Sequence, residues 1–210
     1  MKKVEITDKI ISYLKETYQP NAIITYGSFA DGSENENSDF DALIIADHEK
    51  KHDSSVIDGI ILDVFIYPTE LFRSEYEPME FVQICDGIIV IDKNGIADHL
   101  QKRVRSYIES APKKTVDEIR EEIRWCEKMI LRTMRKDAEG YYRWHWVLFD
   151  SLEIYCDIKG LYYYGPKKAL RLMEQTDEEA FRKYSKALKI FEQEHLSDWI
   201  SYLKRISSAL

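Results

Sequence analysis

Apolar residues recur over the first eighteen positions at Val4, Ile6, Ile10, Ile11 and Leu14, a three-and-four spacing that predicts an amphipathic helix stopped by Pro20. "AIITY" (22–26) is then continuously apolar or β-branched and ends at Gly27, the pattern of a short strand entering a turn. "FDALIIAD" (40–47) predicts a second strand, and "SSVIDGIILDVFIYP" (54–68) one or two more, with a bend or bulge at Gly59. "TELFRSEY" predicts a short helix, and "GIIVID" (87–92) a further strand closed by the turn residues "KNG".

Near residue 95 the period changes. "IADHLQKRVRSYIES" is apolar at helical spacing and ends near Pro112. "TVDEIREEIRWCEKMILRTMRKDAEG" (115–140) opens with Thr115 as N-cap and Glu118 completing a capping box, and predicts a helix. A helix over roughly 141–160 ends at Gly160, Gly165-Pro166 precedes the helical "KKALRLMEQ", and helices over 177–194 and 196–208 complete the chain. The expectation is an α+β protein: an N-terminal domain at 1–110 with a mixed central sheet flanked by helices, and a C-terminal α-helical bundle at 111–210. Two halves of different class meeting face to face commonly build a small-molecule cleft.

Composition narrows the function classes. At 210 residues, 44% hydrophobic and 32% charged, the chain reads as soluble and globular with a sizeable core. Runs such as "GIIVI" are far too short to cross a bilayer, and the N-terminus turns acidic before any signal-like apolar stretch, so the protein is expected in the cytoplasm, away from membranes. Cys85, Cys126 and Cys156 are odd in number and widely spaced, which predicts buried thiols rather than disulfides or a metal site. A net charge of −8 excludes broad nucleic-acid binding as an expectation and suits a small substrate, a cationic one best. His48, His52, His99 and His195 show no metal-ligand spacing and read as surface or core filler. Monomer and homodimer are both left open.

The chemistry concentrates in "TYGSFADGSENENSDFDALIIAD" (25–47). On a strand, Asp39 and Asp41 point the same way with Cα atoms about 6.6 Å apart, while Phe40, Ala42 and Ile44 face the core. Two such carboxylates repel by about 1–4 kcal/mol, depending on the local dielectric, so a cation must offset them or they must stand in open water. Mg²⁺, which takes hard oxygen ligands and shares them with phosphate, is the natural counter-ion. Asp63 lies inside the apolar "ILDVFIY"; if that strand pairs with 40–46, the third carboxylate joins the other two and the cluster can hold two metal ions. Gly27-Ser28 supplies a turn where backbone can approach phosphate closely, with N–H groups and a hydroxyl as donors. A solvated acidic loop is the rival reading.

Gly27-Ser28, ten intervening residues, Asp39-Phe40-Asp41 and a later strand aspartate resemble the nucleotidyltransferase superfamily related to DNA polymerase β. Size and the helical second half look most like its bacterial aminoglycoside and lincosamide nucleotidyltransferases. That resemblance implies that Gly27, Ser28 and Ser38 contact the triphosphate and that Asp39, Asp41 and Asp63 form the catalytic metal site. It further implies Mg²⁺ (two ions), ATP or another nucleoside triphosphate as co-substrate, and a small hydroxylated acceptor. Ala30-Asp31-Gly32 departs from the family's Ala-Arg-Gly, so a cation is lost beside the turn.

In the helical half, "KGLYYYGPKKAL" (159–170) loosely resembles a segment of streptomycin-type adenylyltransferases, which implies that Lys167 contacts the triphosphate. Asp150, Glu153 and Asp157 share a helical face. They read either as solvated acids or as a cation-attracting wall with Glu153 as general base, Glu121 and Glu122 being rivals for that role. Trp125 and Tyr162–Tyr164 read as core or cleft wall. Modification of a partner protein, as by antitoxin-type nucleotidyltransferases, and a degenerate nucleotide-binding module are the alternative functions.

Overall fold

In the computed structural model, which describes the backbone of residues 2–210 and the side chains of residues 4–210, the chain divides between Ala111 and Pro112 into two units. The first opens with α1 (Lys2–Tyr18), whose Ile10, Ile11 and Leu14 are buried against the sheet together with Tyr18. The strands are β1 (Ala22–Tyr26), β2 (Phe40–Ala46), β3 (Lys51–Asp53), β4 (Val56–Ile57), β5 (Ile60–Pro68) and β6 (Ile88–Asp92). A one-turn helix, α2 (Gly27–Asp31), follows β1, and α3 (Ile96–Ser110) follows β6. Two 3₁₀ segments, Thr69–Arg73 and Pro78–Ile84, lie between β5 and β6; only the first was foreshadowed by the sequence.

The sheet runs β3-β5-β2-β1-β6, with β4 also paired to β5. β2 and β5 are parallel and the other pairs antiparallel, so the sheet is mixed. All five residues of β1 and six of the seven in β2 are buried, which explains why both read as unbroken apolar runs rather than alternations. The stretch 54–68 resolves into a hairpin: Asp58 and Gly59 both take positive φ (48° and 87°), the conformation of a two-residue turn between β4 and β5. β3 was not expected, because its three residues, Lys-His-Asp, carry no apolar pattern.

In the second unit, α4 (Val116–Thr133) begins as expected, with Thr115 Oγ1 accepting from the Glu118 N–H and the Glu118 carboxylate accepting from the Thr115 N–H at 2.7 Å. It does not continue to residue 140. Lys136 adopts φ +52°, and the Asp137 side chain accepts from the Gly140 N–H at 2.8 Å, capping a new helix, α5 (Ala138–Ile158). α6 (Pro166–Thr176), α7 (Glu178–Lys189) and α8 (Gln193–Ser207) follow; the helix expected over 177–194 stops at Lys189 because Ile190 is extended. The bundle core is led by Trp199 and Tyr155.

Cys85, Cys126 and Cys156 are free and buried, and burial pushes the Cys126 and Cys156 thiols up to about 12 and about 11. Among the described residues no helix is long and apolar enough to cross a membrane.

Candidate active site

Strand register assembles the site in the first unit. Tyr26 stands opposite Asp41 across β1 and β2, and Asp41 opposite Asp63 across β2 and β5. Directly opposite residues share a face of a sheet, so these three form a row. Their neighbours Phe40, Ala42, Leu62 and Val64 are buried on the other face, which fixes the register against a one-residue slip. Asp39 stands just ahead of β2 and adds a third carboxylate: Asp39, Asp41 and Asp63 each offer an oxygen within 4.8 Å of the others. Asp39 is exposed and the other two partly buried. Three converging carboxylates repel one another unless a cation lies among them, and an all-oxygen donor set suits a hard divalent ion such as Mg²⁺. The triad fits that group.

Gly27 is required by its neighbour as well as by its backbone. Its φ is +67°, and a Cβ there would lie 2.0 Å from Asp41 Oδ2. The glycine that ends β1 therefore makes room for an acid of the triad. Ser28 is buried in α2, and Gly32 closes that turn in the left-handed conformation with its N–H on the Ser28 carbonyl. Asp31, the departure from the resembling family, accepts from the Ser33 N–H at 3.0 Å and so shapes the turn that follows. The acidic tip folds on itself: the Ser38 N–H donates to the Asn35 carbonyl, and Ser38 Oγ accepts from the Asn35 N–H at 2.9 Å. Ser38 thus anchors the loop that delivers Asp39.

Two further residues stand at this site: Tyr26, to which the sequence reading gave no role, and His52, which it read as surface or core filler. Burial, and then the charges of Asp41 and Asp63, push the Tyr26 phenol well above its ordinary range. Its position directly before Gly27 was the available signal. His52 Nε2 lies 2.7 Å from Asp63 Oδ1, a contact that only the pairing of β3 with β5 reveals.

Glu153 and Lys167 lie in the second unit. Glu153 Oε1 is 3.9 Å from Lys114 Nζ, which also meets Glu122 Oε1 at 2.7 Å and Asp157 Oδ2 at 3.0 Å. Burial alone would lower the Lys114 ammonium, yet Glu122 and Asp157 hold it above its ordinary range. Asp150 on the same helix is raised by burial and by Glu153 and Glu122. The acids of α5 are therefore partly neutralised by a lysine, and Trp125 and Trp146 meet edge-on beside them at 5.4 Å. Lys167 is exposed at the start of α6.

A nucleotidyltransferase-like protein from Exiguobacterium sibiricum 255-15 is similar to the chain with a TM-score of 0.39 and 13% identity, over 98% of this chain and 74% of that one. A toxin-antitoxin structure with AMP-PNP gives a TM-score of 0.32 and 19% identity, over 49% of this chain and 86% of that one. No curated protein matches. The model of the nucleotidyltransferase domain matches residues 7–126, over half of the 210 residues and every strand that builds the triad, so the chain belongs to the nucleotidyltransferase domain family.

Proposed function

We propose that the protein transfers a nucleoside monophosphate from a magnesium-bound nucleoside triphosphate, ATP in the first instance, to a hydroxyl of a small acceptor. The observation that carries this reading is the convergence of Asp39, Asp41 and Asp63 beside the Gly27 turn. In the reaction the acceptor oxygen bonds to the α-phosphorus and the hydroxyl gives up its proton. The bond from the α-phosphorus to its bridging oxygen breaks, and pyrophosphate leaves with the electron pair. Bound Mg²⁺, as one ion or two, would neutralise triphosphate charge and make the attacking hydroxyl more acidic. The chain's own part is positioning and fixed charge. Asp39, Asp41 and Asp63 supply the oxygen ligands, and Gly27 lets backbone and Asp41 crowd together. Ser28 and Ser38 donate to phosphate oxygens.

The net charge of −8 favours a cationic acceptor, which suits an aminoglycoside- or lincosamide-like antibiotic. Incubation with α-labelled ATP, Mg²⁺ and a panel of hydroxylated small molecules tests the reading, with Asp41→Ala alongside. Label should move to a small molecule in the wild type and fall by at least about 10³-fold in the variant. No transfer to any acceptor, or equal transfer by Asp41→Ala, contradicts it. Label on a co-purifying protein would favour the protein-modifying alternative, and nucleotide-dependent stabilisation without turnover a non-catalytic module. Glu153→Gln and Lys167→Ala test the second unit: the reading expects a loss of about 10²-fold or more in kcat for a proton-accepting Glu153, and a raised KM for ATP with Lys167→Ala.

A further inference from the structure

β3 is only Lys51–Asp53, yet it sets a histidine against the triad. His52 stands opposite Phe65 on β5, and its ring stacks on the Phe65 ring with centroids 4.6 Å apart and planes 27° from parallel. Asp63 is two residues back along β5 and therefore on the same face. From that stacked position Nε2 reaches Asp63 Oδ1 at 2.7 Å. The two contacts complement each other: stacking restricts the plane of the imidazole, and the hydrogen bond ties the carboxylate to it. Leu62 and Val64, buried on the opposite face, hold the backbone of Asp63 but not the rotation of its carboxylate.

We propose that His52 is a positioning residue: it holds the Asp63 carboxylate in the orientation in which it joins Asp39 and Asp41 on a divalent cation. The inference rests on the metal-site reading above and adds a fourth residue to it. A plain ion pair would act with the opposite sign, since a cationic imidazole beside the triad competes with the metal and its removal would tighten metal binding. Orientation predicts weaker binding on removal.

Mn²⁺ titration of the full chain, followed by the electron paramagnetic resonance signal of free Mn²⁺ without nucleotide, separates these cases. Four proteins are compared: wild type, Asp63→Asn, His52→Phe and His52→Gln. His52→Phe keeps a ring to stack on Phe65 but loses the donor, and should raise the Mn²⁺ Kd by about 10–100-fold, the usual cost of removing an outer hydrogen-bond partner. His52→Gln restores an N–H at similar reach and should stay within about threefold of the wild type. Matching thermal melts establish that the variants fold. Affinity in His52→Phe equal to or tighter than that of the wild type overturns the inference while leaving the metal site standing. Absence of Mn²⁺ binding by the wild type, or undiminished binding by Asp63→Asn, overturns the metal-site reading and this inference with it.

Discussion

Two glycines show how much a single position constrains the site. Gly27 and Gly32 both take positive φ, +67° and +79°, but a Cβ at Gly32 meets nothing within 4 Å while one at Gly27 runs into the Asp41 carboxylate. Gly32→Ala should therefore cost only backbone strain, about 1 kcal/mol in urea unfolding, with Mn²⁺ affinity kept. Gly27→Ala should cost about 1–3 kcal/mol and also weaken Mn²⁺ binding, because Asp41 must move. Equal metal affinity in the two variants would contradict the close packing of Gly27 on Asp41. The aspartates themselves were legible because acids inside an apolar strand are costly unless partnered, and three of them near a glycine turn form a recognisable pattern. His52 was not legible: its partner Asp63 is eleven residues away, and nothing in Lys-His-Asp marks a strand.

At the scale of elements, Asp177 is the tie of the helical unit. It caps α7 by accepting from the Ala180 N–H, and it also receives Tyr155 OH from α5, Tyr202 OH from α8 and Lys159 Nζ at 2.8 Å. Burial alone would raise its carboxyl, but the hydrogen bonds and the charge of Lys159 bring it down to about 2. A depressed carboxyl contributes stability above its unfolded value, about 3.9, and loses that contribution as pH falls toward 2. The amount is about 2 kcal/mol. Asp177→Asn should lower unfolding free energy by about that much at pH 7 and by much less near pH 2. A constant difference across that range in urea titrations would contradict the assignment. Element boundaries were legible where side chains cap backbone, as at Thr115 and Glu118. They were hidden at residues 134–137 and 190–192, where a left-handed Lys136 and an extended Ile190 interrupt apolar spacing that runs on past the break.

For the whole molecule, the α+β class and the passage from a strand-rich first half to a helical second half followed from the change of period near residue 95, since strand and helix patterns differ in repeat. The parallel pairing of β2 with β5, which brings Asp41 beside Asp63, is a long-range fact that local pattern could only offer as a condition. Linkage supplies a prediction at this scale. A ligand bound only by the folded protein at 100 times its Kd stabilises it by about 2.7 kcal/mol, so ATP with Mg²⁺ should raise Tm by several degrees and ATP with a chelator by much less. Equal shifts with and without the metal would contradict a metal-dependent nucleotide site. The most direct measurement of the central claim is calorimetric titration of a nonhydrolysable Mg·ATP analogue into the wild type and Asp41→Asn. The account predicts saturable binding by the wild type and a loss of at least about tenfold in affinity in the variant; equal affinity in both proteins would contradict it.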